Sequence, residues 1–105
     1  MAKNKTNNDY NSLTSAILAL SNVDEANNFL RDLMTEQEIA ELGKRWKAAQ
    51  MLNQKIPYTK IVAETGLSST TIARISKWLT NGTGGYKMML DRFAEDSQTH
   101  QASTL

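Results

Sequence analysis

Apolar positions recur at helical spacing along almost the whole chain. Tyr10, Leu13, Ile17 and Leu20 fall at i, i+3, i+7 and i+10, one stripe of a first helix ended by the polar pair Ser21-Asn22. Val23, Ala26, Leu30 and Leu33, with Phe29 alongside, form a second stripe reaching Met34. Thr35 followed by Glu38 has the spacing of a capping box. Ile39, Leu42, Trp46, Ala49 and Leu52 continue the period through a third helix. Gly43 inside that helix costs about 1 kcal/mol relative to alanine unless it admits a second helix at close range, and close packing is the expected reason for it. The only proline, Pro57, forces Ile56 out of the helical region and belongs near the start of helix four.

Residues 58–79 carry the densest pattern. Ile61, Val62, Thr65 (by its methyl), Leu67, Ile72, Ile75 and Leu79 close one buried seam between two short crossing helices. Gly66 lies between them, where a left-handed backbone is wanted, and is the natural cap of the first. Either Ser68 or Ser69 can cap the second. Ser69, Thr70, Thr71, Ala73, Arg74 and Lys77 then fall on or near its outer face. Short, hydroxylated and cationic side chains suit a helix laid in the major groove of DNA. The same pattern also fits an ordinary helix hairpin with solvated serines and threonines. Beyond Leu79, residues 80–85 form a flexible break, and Tyr86, Met89, Leu90 and Phe93 give a short last helix.

Charge sharpens the choice. The net charge is only +1, but the charges are sorted. Residues 1–43 set Asp9, Asp24, Glu25, Asp32, Glu36, Glu38 and Glu41 against Lys3, Lys5 and Arg31. Residues 44–77 hold Lys44, Arg45, Lys47, Lys55, Lys60, Arg74 and Lys77 against Glu64 alone. A binder of polyanions needs such a local field. Complementation of the third helix's dipole accounts for part of the asymmetry; Lys60, Arg74 and Lys77 lie beyond it.

Composition removes other classes. There is no cysteine, and the one histidine, His100, lies in the tail, so neither a disulfide framework nor a thiolate or histidine metal site is expected, and no cofactor. No histidine-carboxylate pair or phosphate-cradling loop appears, and an enzyme is not expected. No apolar run reaches membrane-spanning length and residues 1–8 lack the apolar core of a signal peptide, which leads to a cytoplasmic protein.

Residues 34–79 resemble the Trp repressor superfamily. The resemblance rests on Met34-Thr35, on Leu42-Gly43-Lys44-Arg45, and on the ungapped stretch from Gly66 through Thr71-Ile72, Arg74 and Ser76 to Leu79. Trp46 and Asn81-Gly82-Thr83-Gly84-Gly85-Tyr86 are similar to its YerC/YecD branch. The resemblance implies an all-α, intertwined homodimer whose helix-turn-helix units enter successive major grooves of double-stranded DNA, half-sites about 34 Å apart. Pattern and composition along the chain give a plan with a disordered arm over residues 1–8, one helical domain over 9–96 with the helix-turn-helix at 58–79, and a disordered tail over 97–105.

Carried across residue by residue, the resemblance puts Ser69, Thr70 and Ala73 toward the groove and Thr71 close to the backbone. Lys60, Ser68, Arg74 and Lys77 complete the expected DNA-binding set. Arg45 and Arg74 match the arginines that flank bound tryptophan in the namesake, yet Ile75 stands where it has a glycine and Trp78 where it has a small hydroxyl residue. The expectation is a pocket of Arg45, Arg74, Ile75 and Trp78 that is closed to free tryptophan. Whether another small effector exists stays open, and a protein-interaction module that has lost specific DNA binding is the competing reading.

Overall fold

A computed structural model describes the backbone of residues 2–104 and the side chains of residues 8–94. The elements among the described residues are α1 (Ala2–Leu18), α2 (Val23–Leu33), α3 (Glu36–Asn53), α4 (Tyr58–Thr65), α5 (Ser69–Asn81) and α6 (Gly85–Thr104), with no strand. None of these helices is long and apolar enough to cross a membrane. The chain divides into two compact units, Met1–Ile39 and Ala40–Leu105.

In the first unit the helix ends are set by side chains. Asn22, expected only to help end the first helix, is the N-cap of α2: its side chain accepts from the Glu25 amide at 2.9 Å, while the Glu25 carboxylate accepts from the Ser21 amide at 2.8 Å. Thr35 and Glu38 form the expected capping box, with Thr35 Oγ1 accepting from the Glu38 amide at 3.1 Å and Glu38 Oε1 accepting from the Thr35 amide at 2.9 Å. The apolar stripes of α1 and α2 are covered only in part, with Leu13, Ala26, Phe29 and Leu30 half-buried. Tyr10, Ile17, Leu18, Val23 and Leu33 are exposed, and α2 has no buried residue. Helix α1 begins at Ala2 and α6 runs to Thr104, beyond the apolar periods that bounded the helical domain at 9–96. The side chains of residues 1–7 and 95–105, His100 among them, lie outside the described residues.

The buried positions among the described residues all lie in the second unit. Ala48, Ala49 and Met51 of α3, Ile61 of α4, Leu67 of the turn, Ile72 and Ile75 of α5, and Leu90 of α6 make one core. Ile61, Ile72 and Ile75 are fully buried, which stabilises by about 1.5–3 kcal/mol per side chain. Trp46 and Phe93 meet edge to face with ring centroids 5.4 Å apart. Gly43 departs from expectation. Among the described residues a Cβ there would meet nothing within 4 Å.

The link from α3 to α4 holds a feature that no glycine announces. Lys55 has φ 62, the Ile56 amide donates to Met51 O at 3.1 Å, and the Lys55 amide donates to Leu52 O at 2.9 Å. These two bonds are a Schellman closure with lysine in the left-handed position. Ile56 then leaves the helix, and Pro57, extended at φ −60 and ψ 147, is the N-cap of α4.

Candidate nucleic-acid interface

Two caps and one buried hydroxyl fix the angle between α4 and α5. Gly66 closes α4 at φ 76 and ψ 2, its amide donating to Val62 O at 2.9 Å, a left-handed conformation that costs glycine little. Ser68 rather than Ser69 caps α5: its hydroxyl accepts from the Thr71 amide at 3.1 Å and donates to Thr71 Oγ1 at 3.0 Å. Between them Thr65, only 5% exposed, donates from Oγ1 to Ile61 O at 2.7 Å and accepts from the Leu67 amide at 3.2 Å. Sequence reasoning credited Thr65 with its methyl alone. A hydroxyl residue four after Ile61 and directly before the hinge glycine was the available signal.

With the hinge set, α5 is sorted by face. Ile72 and Ile75 point into the core and Leu79 is half-buried, whereas Ser69, Thr70, Ala73, Arg74 and Lys77 are exposed. Helical spacing puts Thr70, Ala73, Arg74 and Lys77 on one side of the helix, opposite the buried stripe. Thr71 is half-buried at the border, and Lys60 is exposed on α4. The outer face thus offers hydroxyls, one methyl and cations, the chemistry of base edges, thymine methyls and phosphates. Ser68 belongs to this set by sequence, but its hydroxyl is engaged in the cap.

A family model described as Trp repressor protein matches residues 8–94. The chain belongs to the Trp repressor family. Among relatives of this family member, the protein YerC of Bacillus subtilis (strain 168), itself uncharacterized, is 40% identical over 91 residues, covering 87% of this chain and 86% of that one. The crystal structure of a TrpR-like protein from Eubacterium eligens ATCC 27750 matches with a TM-score of 0.76 at 37% identity, over 80% of this chain and 87% of that one. A structure from Staphylococcus aureus described as a candidate Trp repressor also gives a TM-score of 0.76, at 38% identity, over 82% of this chain and 86% of its own.

Four residues were expected at an effector pocket: Arg45, Arg74, Ile75 and Trp78. Ile75 is fully buried in the core. Trp78 is 41% exposed and lines an open depression of ≈ 500 Å³ together with Asn81, Gly82, Thr83, Gly85 and Tyr86. Neither Arg45 nor Arg74 lines that depression. Arg45 Nε lies 3.4 Å from Glu41 Oε2, an ion pair along α3 between side chains 30% and 46% exposed. Such a pair contributes a few tenths of a kcal/mol at most. Arg74 stands exposed on α5.

Proposed function

We propose that this chain is a sequence-specific, DNA-binding transcriptional regulator, a repressor that acts in the cytoplasm as a homodimer and places α5 in the major groove. The observation that carries the reading is the sorting of α5 itself. A buried apolar stripe anchors the helix, its start is fixed by Gly66 and Ser68, and the opposite side presents Thr70, Ala73, Arg74 and Lys77 to a partner, with Ser69 exposed on the flank. Thr70 can hydrogen-bond a base edge and Ala73 can meet a thymine methyl, while Lys60, Arg74 and Lys77 suit phosphates. Homodimerisation is supported by the exposed members of the α1 and α2 stripes, where Tyr10 is 68% and Val23 72% exposed. Apolar surface of that extent calls for a covering surface, and a two-fold mate supplies one of matching chemistry.

The test begins with selection of bound fragments from a genomic library by the purified protein, followed by titration of the selected duplex at several salt concentrations. Affinity should fall steeply with salt, and Lys77→Ala should lower the slope of log K against log salt by about one unit across all sequences. Thr70→Ala should instead cost roughly 1–3 kcal/mol at one operator position and relax the base preference there. Weak, salt-insensitive binding to every duplex would overturn the reading in favour of a protein-interaction module.

Free tryptophan is not the effector in this proposal. Ile75 and Trp78 carry that part: a branched side chain, buried at 0% exposure, and an indole stand where the resemblance gives the family a glycine and a small hydroxyl residue. Calorimetry should show no saturable heat with tryptophan at micromolar concentrations; a saturable isotherm would overturn this part alone.

A further inference from the structure

The turn after α3, the C-terminal half of α5 and the first turns of α6 converge on a cleft of ≈ 430 Å³ whose polar lining is Asn53, Lys55, Ser76, Thr80, Lys87 and Asp91. The sequence did not bring these residues together, since Lys55 and Lys87 are separated by two helices and neither stands on the recognition helix. The geometry points to this cleft as a second DNA contact, a seat for a backbone phosphate in which Lys55 and Lys87 supply the charge and Ser76 and Asn53 supply hydrogen bonds, while the Thr80 hydroxyl donates to Lys77 O at 3.2 Å.

Position is the first argument. Ala73, Lys77 and Thr80 fall at i, i+4 and i+7 along α5, so Thr80 ends the stripe that begins with the groove-facing residues, and Thr80 is also a lip of the cleft. A cleft beside the end of a groove-bound helix lies where the sugar-phosphate wall of that groove runs. Charge is the second. Two ammonium groups face one carboxylate, Asp91, and Lys87 is not ion-paired with Asp91 although the two are one helical turn apart. Presentation is the third. The Schellman closure at φ 62 holds the Lys55 backbone in one conformation at the cleft's edge.

The inference rests on the DNA-binding reading above, and its test separates the two. Wild-type protein, Lys55→Gly and Lys87→Ala are titrated with the selected operator and with a random duplex over a range of salt. Glycine suits the left-handed position, so Lys55→Gly removes the ammonium without stressing the turn. Each variant should lower the salt slope by about one unit on both duplexes and leave the ratio of operator to random affinity unchanged. The wild-type advantage should accordingly shrink about 3–4-fold between about 50 and about 200 mM salt. Lys55→Arg and Lys87→Arg should restore the slope, and Asp91→Asn should tighten binding to both duplexes. Unchanged slopes for Lys55→Gly and Lys87→Ala beside a steep wild-type slope would overturn the cleft and leave the DNA reading standing. A flat wild-type slope would overturn both.

Discussion

Thr65→Val replaces one branched side chain by another of nearly equal shape and deletes only the hydroxyl. That hydroxyl donates to Ile61 O at 2.7 Å and accepts from the Leu67 amide at 3.2 Å. Both Thr65 and Leu67 are 5% exposed, so in the valine variant the Leu67 amide is left in the core without a partner. An unsatisfied buried donor costs about 1–3 kcal/mol. The added methyl returns up to about 0.8 kcal/mol by burial. The net loss should be about 1–2 kcal/mol, a fall in Tm of roughly 5–15 °C for a chain of this size. Thermal and urea unfolding at one fixed protomer concentration measure it, since any dimerisation makes the midpoint concentration-dependent. Thr65→Ser is the companion, keeping the oxygen and losing the methyl. The reasoning predicts that both variants lose stability; a valine variant as stable as wild type beside a weakened serine variant would show that the methyl, not the hydroxyl bridge, holds the hinge.

Other substitutions probe the caps. Lys55→Gly should raise unfolding stability by about 0.5–1 kcal/mol, because a left-handed backbone is strained for lysine and free for glycine; a loss of stability would mean that the lysine side chain contributes more than its backbone costs. Gly82→Ala should destabilise by about 1–3 kcal/mol in a thermal melt, since its Cβ would stand 2.5 Å from the carbonyl oxygen of Trp78, a backbone atom that cannot swing aside. Ser68→Ala should cost about 1 kcal/mol by loss of the α5 cap, whereas Ser69→Ala should leave stability within about 0.5 kcal/mol; the reverse order would place the cap on Ser69.

Much of the recognition unit was legible in the sequence, and the physics says why. Gly66 was readable because a left-handed hinge selects glycine, and the buried faces of α4 and α5 were readable because Ile61, Ile72 and Ile75 repeat at the period of the helix. The Thr35-Glu38 box was readable because two side chains must stand three residues apart to satisfy each other's amides. Asn22 was misread as a terminator since asparagine serves helix ends and helix starts alike. Lys55 escaped notice because the usual marker of a left-handed cap is glycine, and lysine adopts that conformation only when the flanking chain imposes it. Gly43 carried no signal that could tell a helix-helix contact from an open flank. The cleft between Lys55 and Lys87 depends on how α3, α5 and α6 meet, which no local pattern encodes.

The two tryptophans make separate parts of the second unit separately observable. Trp46 sits half-buried against the Phe93 ring and belongs to the docking of α6 on α3, while Trp78 stands partly in water on α5, the helix proposed to enter the groove. With Trp46→Phe the remaining emission comes from α5; with Trp78→Phe it comes from the α3–α6 joint. Intrinsic fluorescence from this pair of variants would therefore time the arrival of DNA at α5 separately from any loosening of α6, without attaching a dye.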